Sequence, residues 1–196
     1  MRKLLLSITI LLAAILADAQ PKAPKTYRNF PLVAGVQFHS LSQPLKDLKS
    51  AFSNTGVFAG TELSLNGKST WVQQFTVGWQ NNRDAGNGIM LYTQTAWRPN
   101  IGAGFYTEVK AGIGSFYNSH PTHSYRSENG AWIKEKRSGQ WMTMIPVGVS
   151  AGYQRYAPTP FIAPFISYQV FAAGKYNPSA PIITNQLIQA GSRIYF

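Results

Sequence analysis

Residues 140–154, QWMTMIPVGVSAGYQ, constrain the fold more than any other stretch of the chain. Alternate positions carry Trp141, Thr143, Ile145, Val147, Val149, Ala151 and Tyr153. The positions between them carry Met142, Met144, Pro146, Gly148, Ser150, Gly152 and Gln154. A period of two belongs to a β-strand, whose successive side chains point to opposite faces. One face here is aliphatic in the middle and aromatic at both ends, the pattern of a strand that meets hydrocarbon between two interfacial girdles. The other face is small and mixed, as suits a narrow interior.

Seven more segments alternate in the same way between Gly, Pro and Asn breaks. The sequence predicts strands over Leu32–Ser40, Gly56–Asn66, Thr70–Gln80, Ile89–Arg98, Ala103–Tyr117, Gln140–Gln154, Phe161–Lys175 and Ile182–Phe196. Each is nine residues or longer, and a tilted membrane-spanning strand needs about 9–11. After the second, fourth and sixth segments the connections are short. After the first, third and fifth they are longer, most of all at 118–139, and only the last external connection, YNPSAP, is brief. Membrane barrels alternate short internal turns with longer external loops in this way, whereas a soluble sandwich has no need to. With Gly 17, Tyr 10, Phe 11 and Trp 5 and only 13% charged residues, the composition is strand material. The expectation is an all-β, eight-stranded antiparallel up-and-down transmembrane β-barrel over residues 32–196.

The first nineteen residues form a separate unit. A basic start (Arg2, Lys3), an apolar run of about 13 residues from Leu4 to Leu16, and Ala17-Asp18-Ala19 before Gln20 have the form of a secretory signal peptide, the run being too short to span a bilayer as a helix. Residues 20–31 are then a periplasmic N-terminal tail. The chain has no cysteine, so neither a disulfide framework nor a lipid anchored through Cys is available. Losing Arg2, Lys3 and Asp18 leaves 16 basic against 6 acidic residues, a net +10. For an exported protein that charge points to anionic lipid and lipopolysaccharide phosphates and away from nucleic acid.

Ionisable residues inside the segments share one face. Glu62, Glu108, Lys110 and Arg193 all fall inward, and a Lys or Arg on the lipid side near the midplane would cost about 2–4 kcal/mol. An eight-stranded lumen is just wide enough to be filled by side chains, so these four predict a neutral, plugged interior and no open pore. Lys22, Lys25, Arg28, Lys68, Arg98 and Arg155 lie on the periplasmic side with no acid, suited to anionic headgroups. The external connections carry Lys46, Lys49, Arg83, Arg126, Lys134, Lys136, Arg137 and Lys175 against four acids. The cluster Arg126, Lys134, Lys136 and Arg137 makes the longest loop basic.

Candidates for chemistry are few. His39 and Ser40 end the first segment, and Glu62 on the second suggests a His/Ser/Glu hydrolase acting on lipid A. A triad that cleaves lipid needs access to lipid, however, and these residues share the inner face, so no catalytic residue is assigned. His120 and His123 stand three apart in the long loop, but a structural zinc wants four ligands, and no metal or cofactor is expected. In the first loop, Pro44, Leu45, Leu48 and Phe52 are spaced as a short amphipathic helix.

The stretches PLKDLKSAFSNTGVFAGTEL, WVQQFTVGW, GFYTEVKAGIGSFY and IQAGSRIYF together resemble the small outer-membrane β-barrel proteins of the Bacteroidota. The resemblance implies the barrel and the outer-membrane address and carries over no catalytic residue. The aromatic ending, Phe196, resembles the terminal-strand signal by which the barrel assembly machinery recognises its clients. The functional expectation is a non-enzymatic envelope protein, structural or binding another envelope protein through its basic external loops. The alternatives are a lipid A-modifying enzyme, as acyl hydrolase or acyltransferase, and a narrow channel.

Overall fold

The computed structural model describes residues 29–40, 52, 54–82, 86–119, 125–128, 131–134, 139–157, 159–174 and 182–196. Eight long strands make the wall: β1 (Leu32–Ser40), β2 (Thr55–Ser64), β3 (Trp71–Gln80), β4 (Asn87–Trp97), β5 (Phe105–Ser119), β6 (Gln140–Tyr153), β7 (Phe161–Gly174) and β8 (Ile182–Tyr195). Their ends depart by no more than two residues from those the alternation predicts. A three-residue strand, Asn100–Gly102, extends the edge beside β5, and Tyr125–Glu128 pairs with Ala131–Lys134 as a separate hairpin between β5 and β6.

Each long strand pairs antiparallel with the next, and β8 pairs with β1 from Leu32↔Ile194 to Ser40↔Gln186. The sheet is therefore a closed eight-stranded up-and-down barrel, and closure leaves no long strand with an unpaired edge. Among the described residues there is no helix.

The outer wall is apolar. Val36, Phe75, Val77, Leu91, Val109, Ile113, Ile145, Val147, Val149, Ile162 and Ile166 are all exposed. Aromatic rings stand at both ends of this belt. At the end where β1 begins, Trp71 lies opposite Trp97, Phe105 opposite Tyr153 with ring centroids 5.1 Å apart, and Phe196 is 70% exposed. At the other end Tyr117 faces Trp141 at 5.1 Å, and Trp79 is exposed. From Trp71 to Trp79 is about 26 Å along the strand, and from Trp141 to Tyr153 about 40 Å, at about 3.3 Å per residue. Tilted by about 40°, those lengths become heights of about 20 and 30 Å, bracketing the apolar band of about 25 Å known for membrane barrels.

Gln73, a polar side chain on this apolar wall, is satisfied where it stands. Its Nε2 donates to Thr93 Oγ1 at 2.5 Å, and Thr95 Oγ1 donates to its Oε1 at 2.7 Å.

The lumen is filled in three layers. Toward the end where β1 begins lies a charged layer around Glu62, Glu108 and Arg193. A glutamine layer follows, in which Gln189 Nε2 donates to Gln37 Oε1 at 3.2 Å and to Tyr92 Oη at 3.1 Å, and Gln169 Nε2 donates to Gln189 Oε1. Last comes an apolar layer of Met90, Phe116, Met142, Met144, Phe171 and Leu187, all at most 2% exposed. Inward-facing glycines make room for the large side chains: a Cβ on Gly35 or on Gly191 would fall 2.8 Å from Cζ of Phe58. Small residues at these positions follow from packing, since an interior at crystal-like density has no room for both groups.

Candidate functional site

The most elaborate polar arrangement in the barrel is the charged layer. Glu62 reaches it from β2 and Glu108 from β5, each at an inward position of its strand's alternation. Arg193 enters from β8, three residues before the C-terminus. Arg98, which the sequence places at the periplasmic headgroups, is instead 3% exposed and folds into the lumen. The alternation explains why: Gln94 and Ala96 point inward on β4, and Arg98 continues their parity just past Trp97. Its backbone N–H donates to Thr70 O at 2.7 Å, which anchors it at the mouth of the barrel.

Each guanidinium bridges both carboxylates. Arg98 Nη2 donates to Glu62 Oε1 at 2.8 Å and Oε2 at 2.7 Å, and Arg98 Nε to Glu108 Oε1 at 2.5 Å. Arg193 Nε donates to Glu62 Oε1 at 2.6 Å, and Arg193 Nη2 to Glu108 Oε1 at 2.9 Å and Oε2 at 3.1 Å. Gln74 Nε2 donates to Glu62 Oε1 at 2.9 Å. The Tyr106 hydroxyl accepts from Arg193 Nη1, and both guanidiniums lie over the Tyr106 ring at 5.2 and 5.5 Å. Phe165 carries Arg193 on its face at 4.2 Å. Charge-assisted, multidentate bonds of this kind are the stronger class of hydrogen bond and hold planar groups in fixed orientation. In the connection between β6 and β7, Tyr156 packs edge-on to Phe161 at 5.6 Å, and burial raises its phenol above the ordinary value.

Lys110, expected in this network, is 3% exposed but makes no ion pair among the described residues. It sits one layer further in, where β5 register sets it opposite Ala96 and Gly148. With Arg98 included, the lumen holds Arg98, Arg193 and Lys110 against Glu62 and Glu108. Among the described residues its formal charge is +1, not the zero expected from the sequence.

The candidate triad is not brought together. His39 and Glu62 stand at opposite ends of the barrel: the β1–β2 register puts Val33 opposite Gly60, so Glu62 falls beside residue 31, eight residues or about 26 Å along β1 from His39. His39 is buried in the lumen, with Nε2 3.2 Å from Asn82 Nδ2. Ser40 follows it at the strand end and is 4% exposed. Phe196 lies past the end of β8, exposed at the rim shared with Trp71 and Trp97, while Tyr195 turns inward and stacks on Phe161 at 4.5 Å. Arg126 and Lys134 lie on the hairpin strands. Residues 1–28, Lys46, Lys49, Arg83, His120, His123, Lys136, Arg137, Lys175 and most of the predicted loop helix lie outside the described residues.

The fold and the filled interior define a class: a small, closed up-and-down β-barrel with an apolar outer wall and an ion-paired core. Among solved structures the chain is similar to the crystal structure of Neisserial surface protein A (NspA), at 16% identity and a TM-score of 0.53, over 85% of this chain and 97% of that one. A de novo designed transmembrane β-barrel also aligns, at 14% identity and a TM-score of 0.42, over 86% of this chain and 96% of that one. No protein-family model and no curated protein matches the sequence.

Proposed function

We propose that this chain is an integral barrel protein of a bacterial outer membrane, with its N-terminal tail in the periplasm. In this reading it serves the envelope without chemistry of its own, as a structural element or through a partner protein held by its basic external loops. The observation that carries the proposal is the outer wall. A continuous aliphatic belt bounded by aromatic rings at both rims is stable against hydrocarbon and, in water, would be an exposed apolar patch far larger than soluble monomers tolerate.

The loop cluster Arg126, Lys134, Lys136 and Arg137 supports lipopolysaccharide phosphates or an acidic envelope protein as the external contact. Anionic lipid fits the inner rim, and the barrel assembly machinery fits the Phe196 ending. The resemblance to barrels of the Bacteroidota supports the same address. Lipid chemistry is not proposed, because His39 faces the lumen far from Glu62. A channel is not proposed either, because three layers of side chains fill the interior.

The test is fractionation of cells together with gel migration before and after boiling. The expected result is outer-membrane recovery and a faster-running unboiled band; a protein released in the soluble periplasmic fraction contradicts the proposal. Lipid A mass spectra with and without the gene are expected to be identical, and a mass change of one acyl chain contradicts the non-enzymatic reading.

A further inference from the structure

Between the charged and glutamine layers the lumen keeps a cavity of about 20 Å³, bounded in part by Lys110, Gln94, Gln169 and Glu62. Roughly 10–15 Å³ is enough for one water-sized occupant. Two features of its wall bear on what fills it. The first is charge. Arg98 and Arg193 already occupy both carboxylates of Glu62 and Glu108, and Lys110 is left one positive charge in excess with no ion pair among the described residues. The second is hydrogen bonding. Gln94 is 1% exposed and its Nε2 has no acceptor among the described residues.

The strand register brings these groups together. Lys110 pairs across β4–β5 with Ala96, two residues from Gln94, and across β5–β6 with Gly148, which in turn pairs with Gln169 on β7. Gln169 Oε1 is buried and without a donor among the described residues, so it suits one of the three ammonium protons and leaves the others for an occupant. A buried ammonium without a direct ion pair is costly, and an amide donor without an acceptor adds to that cost. Water would answer the amide but not the charge; a small anion answers both.

We propose that the cavity is a binding site for a single monatomic anion, chloride in ordinary media, held by the Lys110 ammonium and the Gln94 amide. The site does not depend on where the barrel resides.

Bromide is the probe. Protein purified in detergent micelles is unfolded in urea in sodium bromide and, at equal ionic strength, in sodium gluconate. The expected result is a higher midpoint in bromide. Once bromide is saturating, each further tenfold rise should increase the folding constant up to tenfold. Lys110→Met should unfold at the same midpoint in both salts. Equal midpoints for the wild type in the two salts overturn the proposal, as does a bromide dependence that survives unchanged in Lys110→Met. Should Lys110→Met fail to fold, crystals of the wild type grown in bromide decide the matter. An anomalous peak beside Lys110 Nζ supports the site, and a cavity holding only water overturns it.

Discussion

Arg98 and Arg193 each grip both Glu62 and Glu108, so removing one guanidinium leaves two buried carboxylates sharing a single cation. Breaking a buried ionic cluster by deleting one partner typically costs about 3–5 kcal/mol. Arg193→Met is therefore expected to lower the unfolding free energy in micelles by about 3–5 kcal/mol, read from urea titration; a loss under about 1 kcal/mol would show that the cluster is not holding the lumen. The inward glycines are equally constrained by what they face. A Cβ on Gly152 would meet the Tyr106 hydroxyl, the same hydroxyl that accepts from Arg193. Gly152→Val is expected to cost about 1–3 kcal/mol by overpacking, and Gly152→Val/Tyr106→Phe to recover part of it in the same titration. No recovery would place the strain elsewhere. At the level of residues the sequence discloses the inward faces but not the partners. Glu62, Glu108 and Arg193 were visible by parity alone. Arg98 was equally available to that rule, yet it stands beside Pro99 at a strand end, where composition reads as a turn. Lys110 shows the converse: parity places a side chain inside without saying which layer it reaches, because depth depends on the stagger between strands.

Strand ends were legible to within two residues because the period-two pattern is long and the breaks at Gly67, Pro99 and Pro160 are strong punctuation. The partners of Gln73 on the outer face were not legible, since Thr93 and Thr95 meet it only through the β3–β4 register. The triad of His39, Ser40 and Glu62 failed at this same scale. Nearness in a list of inward residues ignores that β1 and β2 run antiparallel, which sends His39 and Glu62 to opposite ends. For the last strand, the pairing of Ile194 with both Leu32 and Ile162 fixes Phe196 outward at the rim. Inserting one residue after Tyr195 moves the terminal aromatic to the opposite face of the strand. That insertion, or deletion of Phe196, is expected to reduce outer-membrane levels several-fold in immunoblots of fractionated cells. Undiminished levels of both variants would rule out Phe196 as an assembly signal.

For the whole molecule, a filled lumen and an apolar wall together describe a barrel that is solid in the middle and greasy outside. Wild-type protein in planar bilayers is expected to show no discrete conductance steps; regular steps would mean that the three layers move aside. Sequence patterning conveyed the architecture because a barrel is built by repeating one local rule eight times. It conveyed little about activity, because the loops that meet the surroundings follow no such rule.

Along each long strand, alternate residues face lipid and a packed interior. The absence of cysteine makes it directly measurable, since single cysteines placed from Ile145 to Ala151 can each carry a spin label in lipid vesicles. Labels at 145, 147, 149 and 151 are expected to show high collision rates with oxygen, and labels at 146, 148 and 150 low rates with both oxygen and a water-soluble nickel chelate. A flat oxygen profile, or nickel access at the outward positions, would contradict a lipid-facing wall and with it the proposed place of this barrel in a membrane.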